Sequence, residues 1–546
     1  MAALLGFASE RGIAVLPRGA GTNLCGGFAP SPESVVLDLS AMREILAIDP
    51  DARRAVVEPG VINGDLQQRL APMGLCYSPD PASSAISSIG GNIAENAGGP
   101  GCIKYGVTFH HVAAVEVVLG DGRVAVFAEG DDIDLLGVMI GSEGILGAVT
   151  RATVKLRPLP AATWTALAAF DRLEDAALLV SEIIAAGVLP AALEMCDQRQ
   201  VNLCEDWLQS GYPRSAAAIL FAELDGDPDE VAAQAAILEP LLRRRDGALR
   251  VATEADERAR LWAGRVGAAH AFKATGKNFY VCDVSVPRQR IPEMVARARD
   301  IASRLDLDVA TAAHLGDGNM HPVILYSPEE ADRMRAGADT ICAAALDMGG
   351  TLTGEHGIGT EKVPHMRRRF GAAEIAAFRV VKAAFDPAGI LNPGVLLPAV
   401  ADDEPRLPRF AAAIQAALAG EKPATGVAGI VTADSTVAVD AENLTVSVGA
   451  GASCGDAVEL VARAGFAGPG LLFARTLAEL VEESGNRGLA RSTLLAVEAE
   501  LDDGPTVTFG SAAVKDVAGL DLKRLVAGGH GAFGRVRSAT FRISPR

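Results

Sequence analysis

Residues 78–99 read SPDPASSAISSIGGNIAENAGG, a polar stretch punctuated by proline and glycine. A loop of that length is uncommon inside a compact domain unless it serves a ligand. A second stretch of the same character lies upstream. Residues 17–27, PRGAGTNLCGG, directly follow the strand-like run Ala14-Val15-Leu16. Successive small residues there let backbone N–H groups approach and cradle a pyrophosphate, with Arg18 adding charge. Taken alone, a structural turn explains this upstream stretch equally well. It is neither the G-x-G-x-x-G fingerprint of a Rossmann fold nor a Walker P-loop.

Around these two segments, short strand-like runs at 34–37, 54–58 and 112–119 alternate with helical stretches such as 64–73. That pattern reads as α+β up to about residue 160. The next region opens on an amphipathic helix near 173–186 and carries strand-like runs at 217–224, 280–286 and 323–326. Residues 393–408, rich in proline and acid, read as a linker. Beyond it the chain repeats its beginning. Residues 438–466 align without gaps on 47–75, placing Gly451, Gly455, Asp456 and Gly465 on Gly60, Gly64, Asp65 and Gly74. Residues 528–545 align likewise on 141–158, with Gly528, Gly531 and Gly534 on Gly141, Gly144 and Gly147. Shared glycines at backbone-demanding positions point to one fold built twice. The second copy lacks both glycine-rich segments; its counterpart region, about 475–488, reads as charged and helical.

The composition narrows the function. With 546 residues, 49% hydrophobic and 22% charged, the chain is ordinary globular material. Acidic residues outnumber basic ones by 68 to 50, for a net charge of −18, which disfavours nucleic acid as a partner. Eight cysteines are scattered at 25, 76, 102, 196, 204, 282, 342 and 454 with no C-x-x-C, so neither a zinc ribbon nor a cysteine-ligated iron–sulfur cluster is signalled. They fit a reducing compartment. No secretory signal and no membrane span is expected. The expected location is cytoplasmic, or peripheral at the inner membrane through partner subunits.

Two further motifs carry chemistry. In His314-Leu-Gly-Asp-Gly-Asn-Met-His321, a two-residue Asp317-Gly318 turn would set His314 opposite His321 on one face of a β-ribbon, about 5 Å apart at Cβ. That geometry suits a metal, or a plain pair of packed histidines. Glu355-His356 lies among Gly354, Gly357 and Gly359, and both side chains can serve one site only if the backbone leaves a regular strand. Two histidines and a carboxylate make a facial set for a divalent ion with open positions: zinc, manganese or iron. Such an ion could acidify the hydroxyl of a bound 2-hydroxy acid, with His356 taking the proton. His110 and His111 read as structural, and Lys104 and Tyr105 as lining of the second loop.

Together, Arg18-Gly-Ala-Gly-Thr22, Ser88-Ile-Gly-Gly-Asn92, Gly141-Ser-Glu-Gly144 with Gly147, His314 to His321, Gly354 to Gly359 and Leu391-Asn-Pro-Gly394 resemble a known series. The chain resembles the vanillyl-alcohol-oxidase superfamily, and within it the FAD subunit of bacterial glycolate oxidase and its D-lactate and D-2-hydroxyglutarate dehydrogenase relatives, over roughly residues 5–398. The tail resembles the smaller FAD-domain subunit of the same oxidase, fused and lacking its flavin loops. The resemblance implies an α+β chain of four parts: a PCMH-type FAD-binding domain at 1–159, an α/β cap domain for substrate and metal at 160–397, a linker at 398–408 and a degenerate second FAD-type domain at 409–546.

It also implies residue roles. FAD would be held by Arg18, Gly19, Gly21, Thr22, Gly26, Gly27, Pro79, Asp80, Ser83, Gly90, Gly91, Asn92, Asn96, Gly98, Gly99, Glu143, Gly144, Gly147, Val149 and Asn392. His314, His321 and Glu355 match the metal ligands, His356 the catalytic base, and Arg265 the arginine that holds the substrate carboxylate. The implied activity is FAD-dependent oxidation of glycolate, or alternatively of D-lactate or D-2-hydroxyglutarate, with electrons passed to an iron–sulfur subunit. A non-catalytic assembly subunit is the other class. Relatives carry a further strand and helix ahead of the first loop, whereas Met1 falls within the first helix of the pattern. Loss of an edge strand there could weaken FAD binding and folding; a misplaced start position and a true truncation are the two explanations.

Overall fold

The computed structural model describes residues 1–243, 248–423, 434–468, 476–477, 492–529 and 531–545. The tail segment 475–488, expected to be charged and helical, lies almost wholly outside them.

The first unit is built on a five-stranded sheet in the order Ile45–Asp49, Arg54–Val57, Gly147–Lys155, Val112–Leu119, Val124–Ala128. Its inward side chains (Val57, Val115, Val117, Ala152 and Val154) are fully buried, as strict alternation of β-branched residues requires. Helix Asn63–Leu70 presses Leu66 and Leu70 into the same core. A small side sheet pairs Leu75–Cys76 with Arg157–Pro158. At the N-terminal edge, helix Ala2–Arg11 leads into strand Val15–Arg18, which pairs in parallel with Val35–Asp38 and touches Leu391 of the distant 385–394 segment.

The middle unit carries an eight-stranded sheet whose main path runs Leu249–Ala252, Ala162–Phe170, Ala218–Gly226, Ala192–Asp197, Asp308–His314, Asn319–Tyr326, Asn278–Val281. The short strand Val284–Ser285 also pairs with Asn319–Tyr326. The long apolar run at 280–286 is thus split by Cys282-Asp283. Every pairing in this sheet is antiparallel, so the cap is α+β rather than a parallel α/β layer. Helices such as Leu173–Ala185 and Ile291–Arg304 cover one face with Leu179, Ile183, Met294 and Ile301.

The described part of the tail has a five-stranded sheet in the order Val437–Asp440, Thr445–Gly449, Arg535–Arg542, Leu494–Glu500, Thr506–Gly510. That is the strand order of the first unit. The side sheet recurs as Phe466–Ala467 with Ser544–Pro545, and the helix as Cys454–Arg463. Even the isolated antiparallel bridge Ile62–Ser88 has its counterpart in Ser453–Thr476.

The stretch 398–408 is more firmly held than a free tether. Glu404 accepts hydrogen bonds from Arg379 at 2.8 Å and Arg367 at 2.6 Å, and Leu407 is buried just before helix Pro408–Leu418. One apolar core runs from the first unit (Val57) through the cap (Phe170) into the tail (Phe509). No helix among the described residues is long and apolar enough to cross a membrane.

Candidate active site

The two glycine-rich segments meet at Ser88. Its Oγ accepts from Ala20 N at 3.2 Å and Gly91 N at 3.3 Å, and it caps helix Ile89–Glu95. A Cβ on Gly19 would stand 2.4 Å from that oxygen, so glycine is demanded by the close approach. Asn23 folds the first loop by accepting from Cys25 N and Gly27 N, both at 3.0 Å. Asn392 ties the first loop to the turn before strand Gly147–Lys155, donating to Gly27 O at 2.7 Å and Glu143 O at 2.8 Å. Several buried polar atoms along these segments have no partner in the protein: Asn63 Oδ1, Ser87 Oγ, Asn92 Nδ2 and Asn392 Oδ1. A run of orphaned donors and acceptors is what a cofactor rich in hydrogen-bonding groups satisfies, so these loops fit a flavin dinucleotide.

The other expected cofactor residues are placed as follows. Arg18 pairs with Asp38 at 3.1 Å and packs over Gly21. Pro79 O accepts from Asn63 Nδ2, and Ser83 O closes the turn to Ile86 and Ser87. Asp80 O packs against Gly99, and Gly90 against Pro59. Asn96 is a left-handed helix cap whose Oδ1 accepts from Phe109 N. Gly147 and Val149 lie within strand Gly147–Lys155 against Val117. Lys104 and Tyr105 both reach Asp225 of the cap, at 2.8 and 2.5 Å. His111 bonds Tyr105 O and His110 bonds Ser492 O, both structural contacts.

His314 and His321 come together, but by a different route from the expected two-residue turn. His314 pairs with Asn319 and Ala312 with His321, so the hairpin loop spans 315–318 and the two histidines are diagonal neighbours on one face. The longer loop arises because Asp317 N and Gly318 N both turn back to His314 O, with Gly318 at φ 84° packed against Val286 O. Their rings meet edge to face at 5.1 Å. Both distal nitrogens converge on one oxygen: Glu355 Oε1 lies 3.0 Å from His314 Nε2 and 3.1 Å from His321 Nε2.

Glu355-His356 departs from a strand, as the glycines allow. The agent is Asp283, whose Oδ2 accepts from Glu355 N at 3.1 Å, His356 N at 2.8 Å and Thr353 Oγ1 at 2.5 Å. Gly357 follows at φ 90°. From the first unit, Glu143 accepts from Ile358 N and Gly359 N, both at 2.7 Å. The loop bearing His356 is therefore pinned to the flavin-type domain. Gly98 of the second glycine segment approaches too: a Cβ there would stand 2.8 Å from Glu355 Oε2. The His356 ring stacks on His321 at 5.0 Å, and its Nδ1 is buried without a partner.

Arg265, on helix Ala255–Val266, is buried and pairs with Glu194 at 2.8 Å, leaving its Nε without a partner. Glu194 stands directly across the sheet from His314 and takes its Nδ1 at 2.5 Å. The Glu194 carboxylate thus orients the His314 ring, whereas His321 Nδ1 has no hydrogen-bond partner and its nearest carboxylate, Asp283, lies 3.7 Å away. The donor set, two imidazoles and a carboxylate, fits a divalent ion.

The electrostatics follow from burial and close charge. Burial works to raise the Glu355 carboxyl, but Lys515 and His314 hold it well below the usual range. Burial alone would lower His314, yet Glu194 and Glu355 push it up to about 9. For His356 burial wins over nearby Asp283 and brings it down to about 4, so its imidazole is neutral and able to accept a proton at pH 7. Three residues of this site escape sequence reading. Glu194 and Asp283 are lone carboxylates inside apolar runs (ALEMC and YVCDVSV), which is a usable signal; Lys515 offered none.

Fold and site define a flavoprotein oxidoreductase with a PCMH-type FAD-binding domain. The family described as FAD binding domain matches residues 1–128, and FAD linked oxidases, C-terminal domain, matches residues 159–396. The chain is 41% identical over 404 residues to the glycolate oxidase subunit GlcD of Escherichia coli strain K12, covering 72% of this chain and 81% of that one. It is 32% identical to a D-lactate dehydrogenase of Anaerostipes hadrus, covering 72% and 86%. Its fold is that of p-cresol methylhydroxylase, a substrate-bound crystal structure, at a TM-score of 0.59 and 19% identity over 72% of this chain and 86% of that one. The chain belongs to the FAD-linked oxidase family.

Proposed function

We propose that this chain oxidises a small 2-hydroxy acid, glycolate, to the 2-oxo acid, passing electrons through FAD to a separate iron–sulfur subunit. The observation that carries the reading is the convergence of His314 and His321 on a single Glu355 oxygen, beside the buried, unpartnered Nδ1 of His356. The similarity to a glycolate oxidase subunit supports the substrate, and the absence of a C-x-x-C pair in this sequence supports an external electron acceptor.

His314, His321 and Glu355 would hold a divalent ion (zinc, manganese or iron), and the two glycine-rich loops with Asn392 would hold FAD. When bound, the ion supplies acidification of the substrate hydroxyl and the flavin supplies a hydride acceptor. The chain's own residues do the rest. Arg265 presents its open Nε to the substrate carboxylate while Glu194 fixes its plane. His356 takes the hydroxyl proton at Nδ1, kept dry by its stack on His321. The unit after 408 is a second copy of the first that has lost its flavin loops.

The test is the visible flavin spectrum of the purified protein during anaerobic addition of glycolate, D-lactate and D-2-hydroxyglutarate in separate cells. Bleaching fastest with glycolate supports the proposal. Bleaching fastest with either longer acid reassigns the substrate, and a flavin that none of the three reduces refutes 2-hydroxy-acid oxidation.

A further inference from the structure

The first and last units share a strand order, but they differ between the fourth strand and the helix after it. In the first unit residues 129–134 join strand Val124–Ala128 to helix Leu135–Met139. In the tail the same connection is residues 511–522, about twice as long, between Thr506–Gly510 and Lys523–Gly528. The extra length goes into the active site. Val517 N donates to Thr353 O at 3.2 Å, setting the loop beside the Glu355 segment. Asp516 accepts from Thr351 Oγ1 at 2.7 Å and pairs with Arg369 at 3.2 Å. Gly519, at φ 75°, packs on Phe378 and Phe370.

This anchoring drives Lys515 inward until its side chain is 1% exposed. The stem passes Gly98 of the second glycine segment, and Nζ ends 3.1 Å from Asp317 Oδ2 and 3.2 Å from Glu355 Oε2. Asp317 is on the hairpin loop between His314 and His321. One ammonium thus bridges the hairpin loop that joins the two histidine-bearing strands and the segment that carries Glu355. It occupies Glu355 Oε2 and leaves Oε1 to face both imidazoles.

We propose that the C-terminal unit is a working part of the active site in cis, and that Lys515 is the positioning residue that neutralises Asp317 and aims Glu355. The inference rests on the reading of Glu355 as a metal ligand given above. Asp317, Glu194 and Asp283 are buried beside the part-buried Glu355, and burying carboxylates demands matched cations. Arg265 serves Glu194, Lys362 lies 3.8 Å from Asp283, and the tail supplies the cation for the remaining two.

The test uses the full-length protein with Lys515→Ala, which opens a space for a small cation, and Lys515→Met, which keeps the stem and drops the charge. In metal-free, flavin-bound K515A, ethylammonium chloride should raise the unfolding midpoint, while tetramethylammonium chloride at equal ionic strength should not; wild type should respond to neither. Glycolate-driven flavin bleaching should slow at least tenfold in both variants and recover at least threefold in K515A with ethylammonium. A wild-type bleaching rate in K515M, or no ethylammonium-specific rise in the K515A midpoint, overturns the proposal. If wild type is bleached by no 2-hydroxy acid, the functional reading fails by itself, and the thermal comparison still decides where Lys515 puts its charge.

Discussion

The His356 ring is part-buried and Arg265 is buried, and each keeps one polar atom shut off from solvent without a protein partner, Nδ1 in one and Nε in the other. Leaving such an atom unpaired costs about 1–3 kcal/mol, a penalty that the proposed substrate would remove. His356 stacks on His321, and Arg265 pairs with Glu194. Under the proposed function, that arrangement holds His356 ready as proton acceptor and Arg265 ready as anion clamp. His356→Ala should therefore retain FAD and slow substrate-driven flavin reduction by roughly 10²–10⁴-fold, the usual range for losing a general base. Stopped-flow reduction would measure it, and near-normal reduction in that variant would remove His356 from the role. Both residues are singled out in the sequence by the family resemblance of their motifs. Their partners are less legible: Glu194 acquires meaning only once strand pairing puts it across from His314.

Among the elements, the segment from Thr351 to Gly359 decides the site. It has no regular structure of its own, and Asp283 substitutes for a strand partner by collecting Thr353 Oγ1, Glu355 N and His356 N. Asn319 Nδ2 adds a fourth bond to the same carboxylate at 2.6 Å. Asp283→Ala would free these donors and leave Lys362 without its buried counter-charge. The expected loss is about 3–5 kcal/mol of stability, read as a lower urea midpoint with unchanged slope. A midpoint within error of wild type would show that the glycines hold the loop without it. The sequence made the departure from a strand readable through Gly354, Gly357 and Gly359, but it misplaced the neighbouring hairpin. Asp-Gly favours a two-residue turn in isolation; here tertiary contacts of Gly318 with Val286 and of Asp317 with Lys515 select a four-residue loop.

For the whole molecule, repeated glycines read from sequence correspond to a repeated strand order, because those glycines sit at turns and close approaches that a sheet of this connectivity requires. What the alignment could not convey is the relation of the units to one another. Arg288 Nη2 to Asn443 O, Arg369 to Gly510 O, and the Arg524 guanidinium over the Phe109 ring join the tail to both other units. Lys515 was illegible for the same reason: an isolated lysine in a tail gives no hint of a carboxylate 160 residues away in sequence. These contacts tie the three units together around His314, His321 and Glu355, the centre of the proposed site. The measurement that bears on that centre most directly is anaerobic flavin bleaching by glycolate in three preparations of the full chain: as purified, after chelation with metal content verified as nil, and after readdition of manganese or zinc. Bleaching that disappears on chelation and returns with the metal is the expected result; bleaching that continues at an unchanged rate in the verified metal-free protein would contradict it.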